Sequence, residues 1–171
     1  FVLFIDSDDY LPQDYVQRLV EKAEATAADI VYGNLWDFNE NKFYVESHAF
    51  ELTSFLQSNY INNSSLLRRS VIKETRYDMA LNRQFLEDWD FLMTLILENG
   101  AKPVYAPEVK LNYRILPDSI SRRDGHTQRK NFYEVYFYLL KKHVPKWKDE
   151  IFTALENNTM LLEDRLVELT D

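Results

Sequence analysis

The chain has 171 residues, enough for one domain with a proper core and too few for two comfortable ones. Its hydrophobic fraction of 46% and charged fraction of 28% exclude the composition of disordered chains. A formal charge of -8, with a pI near 4.9, argues against general nucleic-acid binding, because a phosphate backbone is held by clustered cations.

The chain opens on FVLFIDSDDYL. Phe1 to Ile5 show no polar alternation, which predicts a strand buried on both faces, inside a parallel or mixed sheet. Such a strand needs neighbours on both sides to satisfy its backbone. The expectation is that an upstream segment belongs with it. Leu11 and Pro12 start a helix whose apolar face is Tyr15, Val16, Leu19, Val20 and Ala23. Residues 29–38 read as a second strand, returned by residues 42–47 across the polar turn Asn39 to Asn41. Residues 51–58 fit a short helix. Residues 64–74 mix an apolar stripe with basic residues and are ambiguous between strand and helix.

From Leu86 the helical pattern sharpens through Trp89, Leu92, Met93, Leu95 and Ile96, and stops at Gly100, as a helix C-terminus would. Residues 102–115 form an extended stretch broken by two prolines, followed by the polar loop LPDSISRRDGH. From Gln128 to about Thr170 two amphipathic helices are predicted, separated near Val144-Pro145. One cationic cluster stands out in this acidic chain: Arg114, Arg122, Arg123, Arg129 and Lys130. No apolar run approaches the roughly 20 residues of a membrane span, and no stretch reads as a signal peptide. The absence of cysteine removes disulfides and thiolate metal sites and fits a reducing compartment. The sequons at Asn62, Asn63 and Asn157 are common by chance and carry no weight. Eleven Tyr and eleven Phe fill cores, and such rings also line sites for sugars and other part-apolar ligands.

Asp6-Ser7-Asp8 is a D-x-D placed directly after a strand and before a helix. Alternate side chains of an extended segment point the same way, so both carboxylates can face one site. Hard oxygen ligands there suit Mg²⁺ or Mn²⁺, and the ends of strands are where open α/β sheets bind ligands. A solvated acidic turn capping the next helix would use the same residue types. The second cluster, Glu87-Asp88-Trp89-Asp90, lies at a helix start, where the dipole favours carboxylates in any protein.

Taken in order, FVLFIDSDDYLPQDYV, SSLLRRSVI and FLEDWDFLMTLILENGAKPVYAPEVKLNYRILPDSISRR resemble the family 2 glycosyltransferases of the GT-A fold, over residues 1 to about 123. The resemblance implies an α/β fold: a partial GT-A, Rossmann-like mixed sheet flanked by helices, with a C-terminal pair of amphipathic helices. Residues 1–125 would carry the metal and acceptor part, and residues 126–171 a helical extension. It implies an inverting enzyme that moves a sugar from a nucleotide-diphosphate donor to the hydroxyl of a saccharide or lipid-linked acceptor, in cell-surface polysaccharide or glycan synthesis. Asp6 matches the acid that contacts the donor's ribose or sugar hydroxyls. Asp8 matches the ligand of a divalent Mn or Mg, and Asp88 the general base. Arg114, Ser119, Ser121 and Arg122 match the segment that closes over the diphosphate, with His126 as a further metal-ligand candidate. Glu87 and Trp89 are candidates for substrate contact, although Trp89 equally fits a core aromatic.

The resembled family also has a first half, holding the uracil and ribose pocket, expected to precede Phe1. Alone, the 171 residues are then expected to show little transfer and to self-associate through the exposed first strand. The implied location is the cytoplasm, or a peripheral seat at the inner membrane face. Two other classes compete. Haloacid-dehalogenase-like phosphatases also place D-x-D after a buried strand, but need a small residue or Thr where this chain has Asp9-Tyr10. A non-catalytic interaction domain is the other.

Overall fold

The computed structural model describes residues 1–82, 86–115 and 125–168; of residues 125–131, 144 and 160–168 it describes the backbone alone. Strand β1 (Val2–Leu3) is followed by α1 (Tyr15–Thr26), β2 (Ile30–Asp37), β3 (Lys42–Val45), α2 (Leu52–Gln57), β4 (Leu66–Leu67) and α3 (Arg69–Ile72). A 3-10 turn, Met79–Leu81, leads to α4 (Glu87–Met93), whose last turn widens to π geometry over Thr94–Glu98. Strand β5 (Pro103–Tyr113) and the long helix α5 (Gly125–Glu168) complete the chain.

The five strands form one mixed sheet. β2 lies at its centre, parallel to β5 on one side and antiparallel to β4 and β3 on the other. β1 is antiparallel to β4, so β1, β2 and β5 run in the same direction and end at the same edge. Period-two alternation then divides the core. Val31, Leu66, Ala106 and Val109 face α1 through Tyr15, Leu19 and Ala23. Ile30, Tyr32 and Leu67 face α2, α4 and α5 on the opposite side. This is the α/β arrangement of a mixed sheet flanked by helices that the sequence predicts. Among the described residues no helix is long and apolar enough to cross a membrane.

Several expectations change in detail. Phe1 to Ile5 do not form a strand buried on both faces. β1 is two residues long, has one partner among the described residues, and leaves Phe1 and Ile5 47% and 45% exposed. Leu3 packs on the α1 side, and Phe4, just beyond the strand, leans on α4, where it meets Phe91 edge-on at 6.3 Å. The ambiguous residues 64–74 contain both elements, because the chain leaves the sheet at Arg68, whose guanidinium binds Ala28 O and Asp29. Two prolines do not break β5. Pro103 is its first residue, and Pro107 lies where the ladder to β2 shifts register, both places where a missing N–H is tolerated. The predicted pair of C-terminal helices is present: α5 is two helices that meet at a kink at Trp147, two residues beyond Pro145.

The register shift depends on Gly33. A Cβ at this position would lie 2.4 Å from Val109 O, and the Gly33 carbonyl already accepts a bond from Asn62 Nδ2. Backbone on the opposing strand cannot yield as a flexible side chain does. Gly33→Ala is therefore expected to lower stability by roughly 1–3 kcal/mol, read from urea unfolding. An unchanged midpoint would show that β5 can move away.

Candidate active site

The shared end of β1, β2 and β5 collects the chemistry-bearing residues. Beyond β1 the chain turns tightly, with Asp9 N donating to Asp6 O at 3.2 Å. The turn is fastened to the end of β5. Arg114 N donates to Asp9 Oδ1 and Arg114 Nε to Asp8 O, both at 2.8 Å, while Tyr10 N donates to Asn112 O at 3.3 Å. These bonds fix acids that would otherwise repel one another on a flexible loop. Burial raises the Asp9 carboxyl above its ordinary range; the Arg114 N–H opposes this, and the charges of Asp6 and Asp8 add to it.

The second acidic cluster approaches the first from α4. Leu86, directly before the helix, holds φ 66°, a left-handed conformation uncommon for a branched side chain. Asp88 follows in the first turn, with its Oδ1 accepting from Trp89 N at 2.8 Å. Burial pushes the Asp88 carboxyl up, its hydrogen bond from Trp89 N–H opposes this, and the neighbouring Glu87 and then Asp6 raise it further. Asp6 thus feels a carboxylate more than eighty positions away in the sequence. Tyr77, stacked on Phe91 at 4.8 Å, is held neutral by burial and then by Asp88, Glu87 and Asp6.

Asp6, Asp9 and Asp88 open into one cleft with about 200 Å³ accessible to water. Its floor is Leu35, Leu111 and Tyr113, and its far wall is Asn59 to Ser64. That wall is anchored by Tyr15 Oη donating to Ser64 O at 2.9 Å, and by Ser47 Oγ donating to Tyr60 O at 2.7 Å. No Lys, Arg or His lines the cleft among the described residues.

The expected site residues separate into groups. Asp6 and Asp88 meet in the cleft. Asp8 and Arg114 lie on the acidic turn beside it, and Glu87 is exposed at the start of α4. Trp89 is 1% exposed and lies in the core, stacked on Tyr136 at 5.5 Å, so it does not reach the cleft. Helical spacing turns it away from Asp88, one residue before it. Ser119, Ser121 and Arg122 fall outside the described residues, as does the side chain of His126. Sequence reasoning overlooked Asp9, Tyr113 and the Asn59 to Ser64 wall. Asp9 was in view inside D-S-D-D, but nothing local marked the others.

The chain matches the model of glycosyl transferase family 2 over residues 1–89, which holds both acidic clusters up to Asp88 and Trp89. The chain belongs to glycosyl transferase family 2. It is also similar to Glycosyltransferase GlyA of Streptococcus pneumoniae serotype 4 (strain ATCC BAA-334 / TIGR4), 24% identical over 187 aligned residues. That alignment covers 92% of this chain and 26% of the relative, so the chain spans about a quarter of the relative's length.

The donor set of this family 2 chain also bears on metal binding. Among the described residues no three acids or histidines converge into a self-contained metal cage. One or two exposed carboxylates on a fixed turn fit the other arrangement, in which Mg²⁺ or Mn²⁺ takes its remaining ligands from substrate phosphates and water. Asp6 and Asp8 supply hard oxygens of that kind.

Proposed function

We infer that this chain carries the acceptor and metal side of an inverting glycosyl transfer from a nucleotide-diphosphate sugar, with Asp88 as general base. The observation that supports it most is the meeting of Asp6, Asp9 and Asp88 in one cleft of a glycosyl transferase family 2 chain. Asp88 is half-buried and binds its proton more tightly than an ordinary carboxylate, which suits a general base. In the proposed step the acceptor O–H gives its proton to Asp88 while its oxygen attacks the anomeric carbon. The bond from that carbon to the diphosphate oxygen breaks, and the nucleoside diphosphate leaves with the electron pair. A single displacement inverts the anomeric centre.

Asp6 holds donor hydroxyls in this reading. Arg114, with Ser119, Ser121 and Arg122 beyond it, offers cationic and hydroxyl donors to the diphosphate. Glu87 contacts substrate at the cleft margin. A divalent cation held by Asp8, when bound, offsets the charge on the departing diphosphate. A saccharide or lipid-linked acceptor in polysaccharide or glycan synthesis fits the open cleft, and the cysteine-free composition supports a reducing, cytoplasmic setting.

The metal assignment has its own test in the full-length protein. Asp8→Asn is expected to lower Mn²⁺-dependent release of nucleoside diphosphate at least about tenfold, since an amide cannot supply the missing charge. Activity indifferent both to chelator and to this substitution would remove Asp8 from the role.

A further inference from the structure

We propose that Tyr44 and Tyr113 form a stacking platform at the cleft mouth for a neutral saccharide ring of the acceptor, whose hydroxyls then reach the Asn59 to Ser64 wall. This rests on the glycosyl-transfer reading and names the substrate class of the same cleft.

The platform begins with a backbone irregularity. Leu35 pairs with Val45 but Trp36 pairs with Phe43, so Tyr44 is an extra residue bulged out of β3. Bulges re-aim side chains and recur beside active sites. Here the bulge brings Tyr44 over Tyr113, with ring centroids 4.9 Å apart and planes 20° apart, across the end of β2. Tyr113 lines the cleft together with Asp9, whereas Tyr44, stacked on Tyr113 outside that lining, remains 41% exposed. A half-exposed ring held flat by a second ring is costly to leave in water and ready to receive an apolar face.

The chemistry of the cleft selects what that face belongs to. Among the described residues, three lining carboxylates and no lining cation disfavour an anion entering without a metal, and favour a neutral ligand rich in hydroxyls. Sugar rings combine such hydroxyl edges with C–H faces, which the negative face of an aromatic ring attracts. Much of the remaining lining is amide and hydroxyl: Asn59, Asn62, Asn63 and Ser64. Asn62 is 9% exposed, gives Nδ2 to Gly33 O at 3.0 Å, and leaves Oδ1 without a partner among the described residues. An unpaired buried acceptor in a cleft wall is unusual enough to point to a donor supplied from outside the fold. The cleft is also smaller than the roughly 300–1,000 Å³ that encloses drug-sized ligands, so an acceptor of more than one sugar ring extends beyond it.

The test is a titration of the ¹³C-tyrosine-labelled chain with methyl hexopyranosides, neutral disaccharides and uridine, followed by NMR. At least one saccharide should move the ring signals of both Tyr44 and Tyr113. Tyr44→Ala should weaken its affinity by about fivefold to tenfold, and Tyr44→Phe, which keeps the ring, should preserve it. The platform is overturned if no saccharide moves these signals, if uridine alone does so, or if Tyr44→Ala binds as tightly as the parent. An active Asp88→Asn enzyme would remove the base assignment and leave the platform standing. Equal saccharide binding by Tyr44→Ala would do the reverse.

Discussion

Asp88→Asn is expected to lower acceptor-dependent transfer by about 10²- to 10⁴-fold while leaving donor affinity nearly unchanged, because an amide keeps the shape of the carboxylate but cannot take a proton. The same substitution should stabilise the fold at neutral pH. Burial, then Glu87 and Asp6, hold the Asp88 proton more tightly in the folded chain than in the unfolded one, where it leaves near pH 3.9. A raised folded-state pKa contributes stability that is fully present below the unfolded value and lost as the pH rises through the folded value. Above that window the ionised, half-buried carboxylate is a cost that Asn removes. Thermal melts at pH 7 should then show the inactive variant melting higher than its parent, and at pH 3 the advantage should vanish. A variant with near-normal turnover would take the role from Asp88 and leave Glu87 as the candidate, because Asp90 is buried and paired with Lys142. A variant that is less stable at pH 7 would mean that Asp88 is held by contacts an amide cannot replace.

The largest expected effect on stability lies behind the site. Lys142 on α5 places Nζ 2.8 Å from Asp90 Oδ2 and 2.9 Å from Asp78 Oδ2. Asp90 itself is 1% exposed, and His143 lies beside it, with Nε2 3.5 Å from Oδ1. The Lys142 hydrogen bond, with Ala80 N–H and Tyr138 Oη, holds the Asp78 carboxyl down at about 2. Lys142→Met removes the cation and leaves the Asp90 carboxylate buried without its ammonium. Breaking a buried pair in this way costs about 3–5 kcal/mol, and the lower end applies here because the Lys142 side chain is 34% exposed. Denaturant unfolding should show that loss, and adding Asp90→Asn should recover much of it, since the buried unpaired charge is then gone and Asp78 keeps its bonds from Ala80 N–H and Tyr138 Oη. A loss under about 1 kcal/mol for Lys142→Met would mean that water or His143 already serves Asp90.

The two acidic clusters were legible because their signals are local. D-S-D-D follows an apolar run, and E-D-W-D opens a helical pattern, so both could be placed at the end or start of an element. The order of those motifs gave the family. The opposite wall was not legible, because distant contacts build it: Tyr15 on Ser64, and Ser47 on both Gly33 and Tyr60. No spacing rule announces that Asn59 to Ser64 will face Asp88. Tyr113 was read as strand, and only the bulge at Tyr44 makes it half of an aromatic pair. The misreading of Phe1 to Ile5 has a related cause. An unbroken apolar run means a central strand when both faces are covered by layers, but among the described residues β1 has β4 as its one neighbour and Phe4 uses α4 as its cover. Trp89 fitted both substrate and core, and the helix periodicity that placed it among Leu92, Met93 and Ile96 was the better guide.

Whether Asp88 takes the acceptor's proton is tested most directly by comparing its own titration with the pH dependence of the reaction. In the full-length protein, ¹³C NMR of labelled aspartate gives the Asp88 titration, and acceptor-dependent release of nucleoside diphosphate gives kcat/KM against pH. The account predicts that Asp88 titrates above the ordinary aspartate range and that the acidic limb of kcat/KM coincides with it, because only the ionised carboxylate can accept the proton. An Asp88 that titrates in the ordinary range, or an acidic limb that persists unchanged in Asp88→Asn, would contradict it.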